Sequence, residues 1–403
     1  MSTFLNQRQQ PLFAPITFLS TIILLSLPFL GHSQCFLNTA TNQFETATGE
    51  PCVNTIITAV PFLRIAPDAR SAGMGDAGIA VSADASALHF NASKLVFAEE
   101  KAGFGLTYTP WLRALEADDS LKNNFYLGYA SGYVQIDPLN AIGLGIRYFS
   151  LGEMVFVDEN GVPIGIGKSD ELEINVSFAR KFAERFSAGL GVKYIYSNLA
   201  GGISGINAGS SIATDFSFTY QTPVLTIGLA ATNLGQRITY TSSINKDFIP
   251  ANLGLGIAWN KALNENTKLT LTTDINKLLA PTPDPAGADE NFDGVPDYRQ
   301  RAYLPSVLGS FSDAPGGFSE ELRELMFSFG AEVQFRDFLA ARVGYFTEHS
   351  TKGGRKYLTT GLGYTYKFIT LNGAYLVTTK SERSPLDNTF RVSLLFAFNN
   401  QNR

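Results

Sequence analysis

Ala141-Ile142-Gly143-Leu144-Gly145-Ile146-Arg147-Tyr148 is the stretch that decides the fold. In an extended chain successive side chains point to opposite faces, so Ile142, Leu144, Ile146 and Tyr148 share one face and Gly143, Gly145 and Arg147 share the other. One face is apolar enough for lipid; the other is small or charged. The same alternation returns in Leu172-Glu173-Ile174-Asn175-Val176-Ser177-Phe178, in Leu253-Gly254-Leu255-Gly256-Ile257, in Leu269-Thr270-Leu271-Thr272 and in the last segment, Phe390-Arg391-Val392-Ser393-Leu394-Leu395-Phe396-Ala397-Phe398. Strands are expected near 102–111, 123–133, 141–149, 171–182, 186–196, 212–221, 224–233, 251–259, 268–276, 325–335, 339–347, 357–368, 370–379 and 387–398. That makes fourteen, the even count of a bacterial single-chain barrel.

A soluble β-sandwich also alternates, so the connections decide between the two. Those after the even-numbered segments are tight: Ile136-Asp137-Pro138-Leu139-Asn140, Ala183-Glu184-Arg185, Thr222-Pro223, Lys261 to Thr267, Arg336-Asp337-Phe338 and Phe368-Ile369-Thr370. Those after odd-numbered segments are long, including 150–170, 197–211, 234–250 and the 48-residue stretch 277–324. Short turns on one rim and long loops on the other are the asymmetry of an outer-membrane barrel, long loops outside. The fold expected is therefore an all-β transmembrane, 14-stranded antiparallel barrel over 102–398, with both termini and a short tail, 399–403, in the periplasm. Aromatic residues near strand ends (Tyr108 and Trp111, Tyr148 and Phe149, Tyr194 and Tyr196, Trp259, Phe396 and Phe398) are read as interfacial girdles.

Composition agrees. Among 403 residues only 17% are charged, whereas Gly (37), Phe (31) and Tyr (16) are plentiful, which suits strands and turns. The net charge of −5 is no footprint for nucleic acid. Three His (His32, His89, His349) supply hydrolase triads and His-based metal sites poorly, and no catalytic centre is expected. At the N-terminus, Met1 to Gln10 is polar with one positive charge, Arg8, and Ile16 to Leu30 is apolar apart from Thr and Ser. Residues 1–33 read as a secretory signal peptide, since a spanning helix needs about twenty apolar residues and Pro28 interrupts this run. A lipoprotein reading at Cys35 is discounted because His32-Ser33-Gln34 precedes it. Export would place Cys35 and Cys52 in an oxidising compartment, where a disulfide, worth about 3 kcal/mol by chain entropy, is favoured over two unpaired thiols.

Between the cysteines and the first strand, within an N-terminal arm over 34–101, runs Pro61-Phe62-Leu63-Arg64-Ile65-Ala66-Pro67-Asp68-Ala69-Arg70-Ser71-Ala72-Gly73-Met74-Gly75-Asp76-Ala77-Gly78. Gly73, Gly75 and Gly78 spell a dinucleotide fingerprint, but Pro67, Asp68 and Arg70 break any lead-in strand and no βαβ units follow. The small residues from 71 to 87 suit close packing inside a lumen; a flexible linker is the alternative.

Ala72-Gly73-Met74-Gly75-Asp76-Ala77-Gly78-Ile79-Ala80, followed by Ala83-Asp84-Ala85-Ser86-Ala87 and Asn91-Ala92-Ser93-Lys94-Leu95, resembles the hatch of the FadL-type outer-membrane proteins, departing from it where Ala92-Ser93-Lys94 replaces Pro-Ala-Gly. Within that superfamily, Phe62 to Gly78, His89 to Lys94 and Tyr108-Thr109-Pro110-Trp111-Leu112 resemble the PorV family of the type IX secretion system. The resemblance extends over essentially the whole mature chain. It implies a hatch in the lumen that includes Gly73, Gly75, Asp76, Gly78, Asp84, Ser86 and Asn91. It also implies binding of the C-terminal signal domain of exported cargo at an SprA-type translocon, and delivery to a surface attachment complex containing a PorU-type protease. The alternative it leaves is a FadL-like transporter of hydrophobic small molecules.

In the longest loop, Asp289, Asn291, Asp293 and Asp297 stand at positions 1, 3, 5 and 9 of a calcium loop, with Gly294 at position 6 and the Val295 carbonyl as a further ligand. Gln300 stands where an EF-hand carries Glu, so weak binding of Ca2+ is one reading and an acidic loop tip the other. Pro281-Thr282-Pro283-Asp284-Pro285 would stiffen the approach. His349 beside Glu348 and Ser350, and the run Glu116 to Asp119, read as solvated loop residues. Inward Arg147, Glu173, Asn175 and Lys193 would line the lumen or hold the hatch by salt bridges.

Overall fold

Fourteen strands close on themselves in the computed structural model of the protein, which describes residues 36–38, 43–45, 55–111, 125–157, 160–201, 206–241, 246–283, 289–290, 292–314, 317–379 and 389–398. The expected signal peptide, Cys35 and Cys52, the acidic run and the tail 399–403 lie outside the described residues. β1 (Phe36–Asn38) and β2 (Gln43–Glu45) pair as a small antiparallel sheet. The barrel follows as β3 (Ala102–Pro110), β4 (Tyr126–Gln135), β5 (Asn140–Val157), β6 (Pro163–Ala183), β7 (Phe186–Gly201), β8 (Gly209–Gln221), β9 (Leu225–Gly235), β10 (Asn252–Asn264), β11 (Thr267–Leu278), β12 (Met326–Phe335), β13 (Leu339–Thr347), β14 (Lys356–Tyr366), β15 (Ile369–Thr378) and β16 (Phe390–Phe398). Each pairs antiparallel with its sequence neighbours, and β16 closes on β3 with Leu394 opposite Leu106. Closure satisfies every ladder, which matters because an open edge in lipid leaves backbone groups unpaired at several kcal/mol each. No described helix is long and apolar enough to cross a membrane.

The alternation sets the two faces as the sequence requires. Ile142, Leu144 and Ile146 are exposed on the outer wall, whereas Gly143 and Gly145 turn inward and Arg147 is buried there. At the long-loop end Tyr108, Tyr126 and Tyr148 form a row of tilted rings across three strands, at 5.7 and 6.0 Å; at the short-turn end Phe368 meets Phe398 at 6.1 Å. Two girdle assignments need correcting. Phe149 and Trp111 face the interior, which for Phe149 is the parity of Arg147.

Two connections are more ordered than expected. Pairing of β5 with β6 runs through a bulge beyond Ser150 and Asp170 to Val157 and Pro163, so most of 150–170 is a projecting hairpin arm, supported by the strand-forming run Val155-Phe156-Val157. The 277–324 connection holds three short helices, Asp297–Gln300, Tyr303–Gly309 and Phe318–Arg323.

Candidate functional site: a segment threaded through a charged interior

Residues 55–98 pass down the inside of the ring. Ile56 packs with Phe248, Leu278, Met326, Phe346 and Tyr357 at the long-loop end. Phe62 and Leu63 pack with Trp111, Leu127, Phe149 and Ile195; Phe62 stacks on Phe149 at 6.3 Å, and Trp111 meets Phe149 edge-on at 5.9 Å. Leu88 and Leu95 reach Tyr133, Ala141 and Ala179 at the short-turn end, from which the chain turns back up as β3. Ile56 therefore stands at the long-loop rim, and β16 ends at the short-turn rim.

The glycines that mimic a dinucleotide fingerprint are where backbone meets wall. Asp68 caps the turn Ala69–Ala72 by accepting from the Ser71 N–H at 2.8 Å. Gly73 then lies against Gly361 of β14, where a Cβ would sit 3.1 Å from its Cα. Gly75 has φ +70°, and a Cβ there would be 2.7 Å from the Tyr345 backbone N and O and 2.8 Å from the Phe329 O. On the wall, Gly344 faces Gly75 and Met74, Gly330 faces Met74, Gly143 faces Leu88, and Gly254 and Gly256 face Ile79. Inward glycines thus do more than keep the lumen polar: they make room for this segment.

Polar contacts follow the same path. The Ala69 N–H donates to Ser393 Oγ at 2.8 Å and the Gly75 N–H to Thr359 Oγ1 at 2.9 Å. The N–H groups of Gly78 and Ile79 both donate to Asp274 Oδ2, at 2.7 and 2.9 Å. Asp76 accepts from Tyr357 OH at 2.6 Å and pairs with Arg391 at 3.3 Å. Asp84 accepts from the Ser86 N–H at 2.8 Å and pairs with Arg70 at 3.3 Å. Asn91 donates to Thr219 Oγ1 at 2.9 Å, and the Ser93 N–H donates to Ser217 Oγ at 3.1 Å. Lys94, where the FadL-type pattern has Gly, donates to the carbonyls of Gly78 at 2.6 Å and Val81 at 2.9 Å, tying the segment to itself.

Three buried charge networks flank it. Arg147 pairs with Glu173 and donates to the carbonyls of Phe62 at 3.3 Å and Ile65 at 3.0 Å. Lys193 links Glu173 (3.5 Å) to Asp215 (2.8 Å). Asn175 donates to the Leu88 carbonyl at 3.3 Å. Opposite, Glu332 accepts from Arg70 at 2.9 Å and from Arg342 at 2.6 Å. Third, at the long-loop rim, Glu348 is buried between Arg64 (2.9 Å) and Arg355 (2.6 Å). Burial pushes its carboxyl up, but Arg355 and then Arg64 outweigh burial and hold it below the usual range. Glu348 is thus not the solvated residue expected from sequence, because Arg64 of the threaded segment reaches it. Beside the segment lies a cavity of about 100 Å3 whose lining includes Arg64, Ile79, His89, Phe90, Lys193 and Asp274.

In the 277–324 connection, Asp289 accepts from the N–H groups of Asp293 (3.2 Å) and Gly294 (2.8 Å), and Asp297 accepts from that of Glu290 at 3.1 Å. The Gln300 amide donates to both Asp293 oxygens, at 3.0 and 2.9 Å, and to the Val295 carbonyl at 2.9 Å. Asn291 lies outside the described residues. Gln300, passed over as a missing ligand, is the residue that knits this loop. The sequence reading also missed Asp274, Glu332 and Thr359, the wall partners of the segment; their only signal was a polar residue at inward parity.

A model of the type IX secretion system protein PorV matches residues 49–285. The chain belongs to the PorV family. PorV proteins are outer-membrane components of that secretion system, and the closed barrel with its apolar outer wall accords with that location. Among solved structures, the CymD monoaromatic hydrocarbon channel is similar over 83% of this chain and 98% of its own, at 15% identity and a TM-score of 0.51, a likeness of fold. The toluene transporter TbuX of Ralstonia pickettii is 16% identical over 82% of this chain and 97% of its own, with a TM-score of 0.48. A Pseudomonas aeruginosa FadL homologue is 13% identical over 86% and 100%, with a TM-score of 0.45. Among curated proteins none matches the chain.

Proposed function

We propose that this PorV-family barrel is a carrier in protein export, binding the C-terminal signal domain of cargo at an SprA-type translocon and delivering it to the PorU-type attachment complex. The observation that carries the reading is the filled interior: residues 55–98 touch the inner wall from β5 round to β16, so the work is left to the long-loop face. In this reading Gly73, Gly75, Asp76, Gly78, Asp84, Ser86 and Asn91 belong to a hatch, the short turns and the C-terminal end face the periplasm, and the long loops face out. The loop at Asp289, Asp293, Val295 and Asp297 is assigned weak calcium binding, which would stiffen that outer face.

Gene deletion followed by a census of the medium and cell surface tests the carrier role. Many proteins losing secretion and surface attachment is the expected result, with a very large translocon protein and cargo C-terminal domains co-purifying in mild detergent. Normal secretion together with lost growth on one hydrophobic nutrient would overturn it in favour of a FadL-like transporter. The small size of this cavity, about 100 Å3, disfavours that second reading, since ligand pockets for such molecules run to several hundred Å3.

A further inference from the structure

The β11–β12 connection does not simply cap the barrel mouth; its second half lies on the outer wall. Along β10 and β11 the outward set is Trp259 opposite Leu271, Ile257 opposite Thr273, Leu255 opposite Ile275, and Leu253 opposite Lys277. Lys277 thus points away from the lumen, toward the surface that strands on either side give to lipid. It is nonetheless buried, because Glu321 and Glu324 come down on it at 2.9 and 2.5 Å. Lys352, from the connection after β13, takes Glu320 at 2.6 Å and Glu324 at 2.9 Å. Upstream, Val307 packs with Ala251 and Leu279, and Tyr303 bridges from Leu253, at outward parity, to Phe248 at the barrel mouth, 6.5 Å away.

The helix Phe318–Arg323 therefore puts its glutamates on the wall, and both helices leave Phe or Leu side chains exposed, with Arg323 at the end of that side in the second. Phe318 is 77% exposed and Leu322 50%, one turn apart on the helix whose glutamates are buried. Leu304 is 63% exposed and Leu308 66%, one turn apart on the other. A helix that buries carboxylates and exposes Phe and Leu is inside out for water and correctly oriented for hydrocarbon. On the two strands that this connection joins, the outer wall exposes Leu271 of β11 and Phe329 of β12, so an apolar surface is shared by wall and helices.

We propose that the helices Tyr303–Gly309 and Phe318–Arg323 form a shelf immersed in the acyl chains of the outer leaflet, with Leu304, Leu308, Phe318 and Leu322 as its lipid-facing side. The ion pairs to Lys277 and Lys352 hold the shelf at that depth. The carrier role is not needed for this inference, which stands on the barrel's place in the membrane.

The test uses the full mature barrel carrying Trp259→Phe, which removes the outward native tryptophan, reconstituted in vesicles of phosphatidylcholine with or without acyl-chain bromination. Phe318→Trp and Leu308→Trp are compared with Phe329→Trp in the belt and Phe292→Trp in the loop, at a residue 91% exposed. Brominated lipid should quench the 318 and 308 reporters to within about a factor of two of the 329 reporter, with little effect at 292. Quenching instead by aqueous acrylamide, as at 292, would overturn the shelf. So would protection from both quenchers, which would place a second copy of the chain, not lipid, on this side.

Discussion

Replacing Gly75 by Ala should loosen the threaded segment while leaving the barrel closed. Two costs add. Gly75 has φ +70°, and a left-handed conformation costs a Cβ-bearing residue about 1–2 kcal/mol. The added methyl would stand 2.7–2.8 Å from the backbone of Tyr345 and Phe329, atoms that no rotamer change can move aside, and such overpacking costs about 1–3 kcal/mol. Together they come to roughly 2–5 kcal/mol against docking, more than the roughly 1 kcal/mol of the Gly75 N–H bond to Thr359 that holds the turn in place. Because about 1.4 kcal/mol is tenfold in an equilibrium constant, local opening should rise at least about tenfold. Hydrogen exchange by mass spectrometry in detergent reads this directly: peptides covering 70–80 should exchange faster, and strand peptides such as 141–148 should not change. Gly294→Ala is the control, since Gly294 also has positive φ (+79°) but nothing lies within 4 Å of its Cβ position. Exchange of 70–80 indistinguishable from the parent protein would refute the claim that this glycine is required by close approach to the wall.

Arg147→Met should destabilise the barrel by about 3–5 kcal/mol, because it leaves Glu173 buried with a single cation, Lys193, at 3.5 Å; adding Glu173→Gln should recover part of the loss in urea unfolding monitored by gel mobility. Glu348 has a depressed pKa, so its stabilisation is present above the unfolded value of about 4.3 and is lost as pH falls through the lower folded value. Unfolding midpoints measured from pH 7 down to 3 should drop in the parent protein and drop less in Glu348→Gln; parallel curves would count against the Arg64–Glu348–Arg355 cluster. For the loop at Asp289, radiolabelled calcium should bind at about 10⁻⁴–10⁻³ M and be lost in Asp293→Ala, with equal retention by both proteins speaking against a calcium site.

Strand number, order and facing were legible from Ile142-Gly143-Leu144 and its repeats because a barrel wall between lipid and a lumen leaves no freedom in parity: a one-residue slip would put Arg147 in lipid. Phe149 was misread for the opposite reason. Its type suggests an interfacial anchor, but its parity is that of Arg147, and parity wins because Phe62 waits inside to stack on it. Gly75 could be flagged from its neighbours as tightly packed, yet Thr359, Tyr345 and Gly344 lie some 270 or more positions away and carry no local sign of that contact. The arm 150–157 was taken for loop because its alternation has no apolar–polar contrast, although its β-branched content favours a strand. Glu320, Glu321 and Glu324 look like an ordinary solvated face until Lys277 is seen at outward parity beneath them.

The interior also bears on how the segment moves, if it moves. Among the hydrogen bonds that tie it to the wall are eight made by backbone groups or by Asn91: from Arg147 to Phe62 and Ile65, to Asp274 from Gly78 and Ile79, and those of Ala69, Gly75, Asn91 and Ser93. At about 1 kcal/mol net each, releasing all of them costs on the order of 8 kcal/mol before any packing is counted. Roughly one molecule in a million would then be open at equilibrium. A small hydrophobic molecule can shift that balance only by its difference in affinity for the two states. A cavity of only about 100 Å3 gives such a molecule little to grip. A protein partner bound across the long-loop face has the contact area to supply that difference. Opening that requires a partner, and is absent in the isolated barrel, is therefore the behaviour expected; spontaneous conductance of purified barrels in planar bilayers at more than trace levels would contradict it.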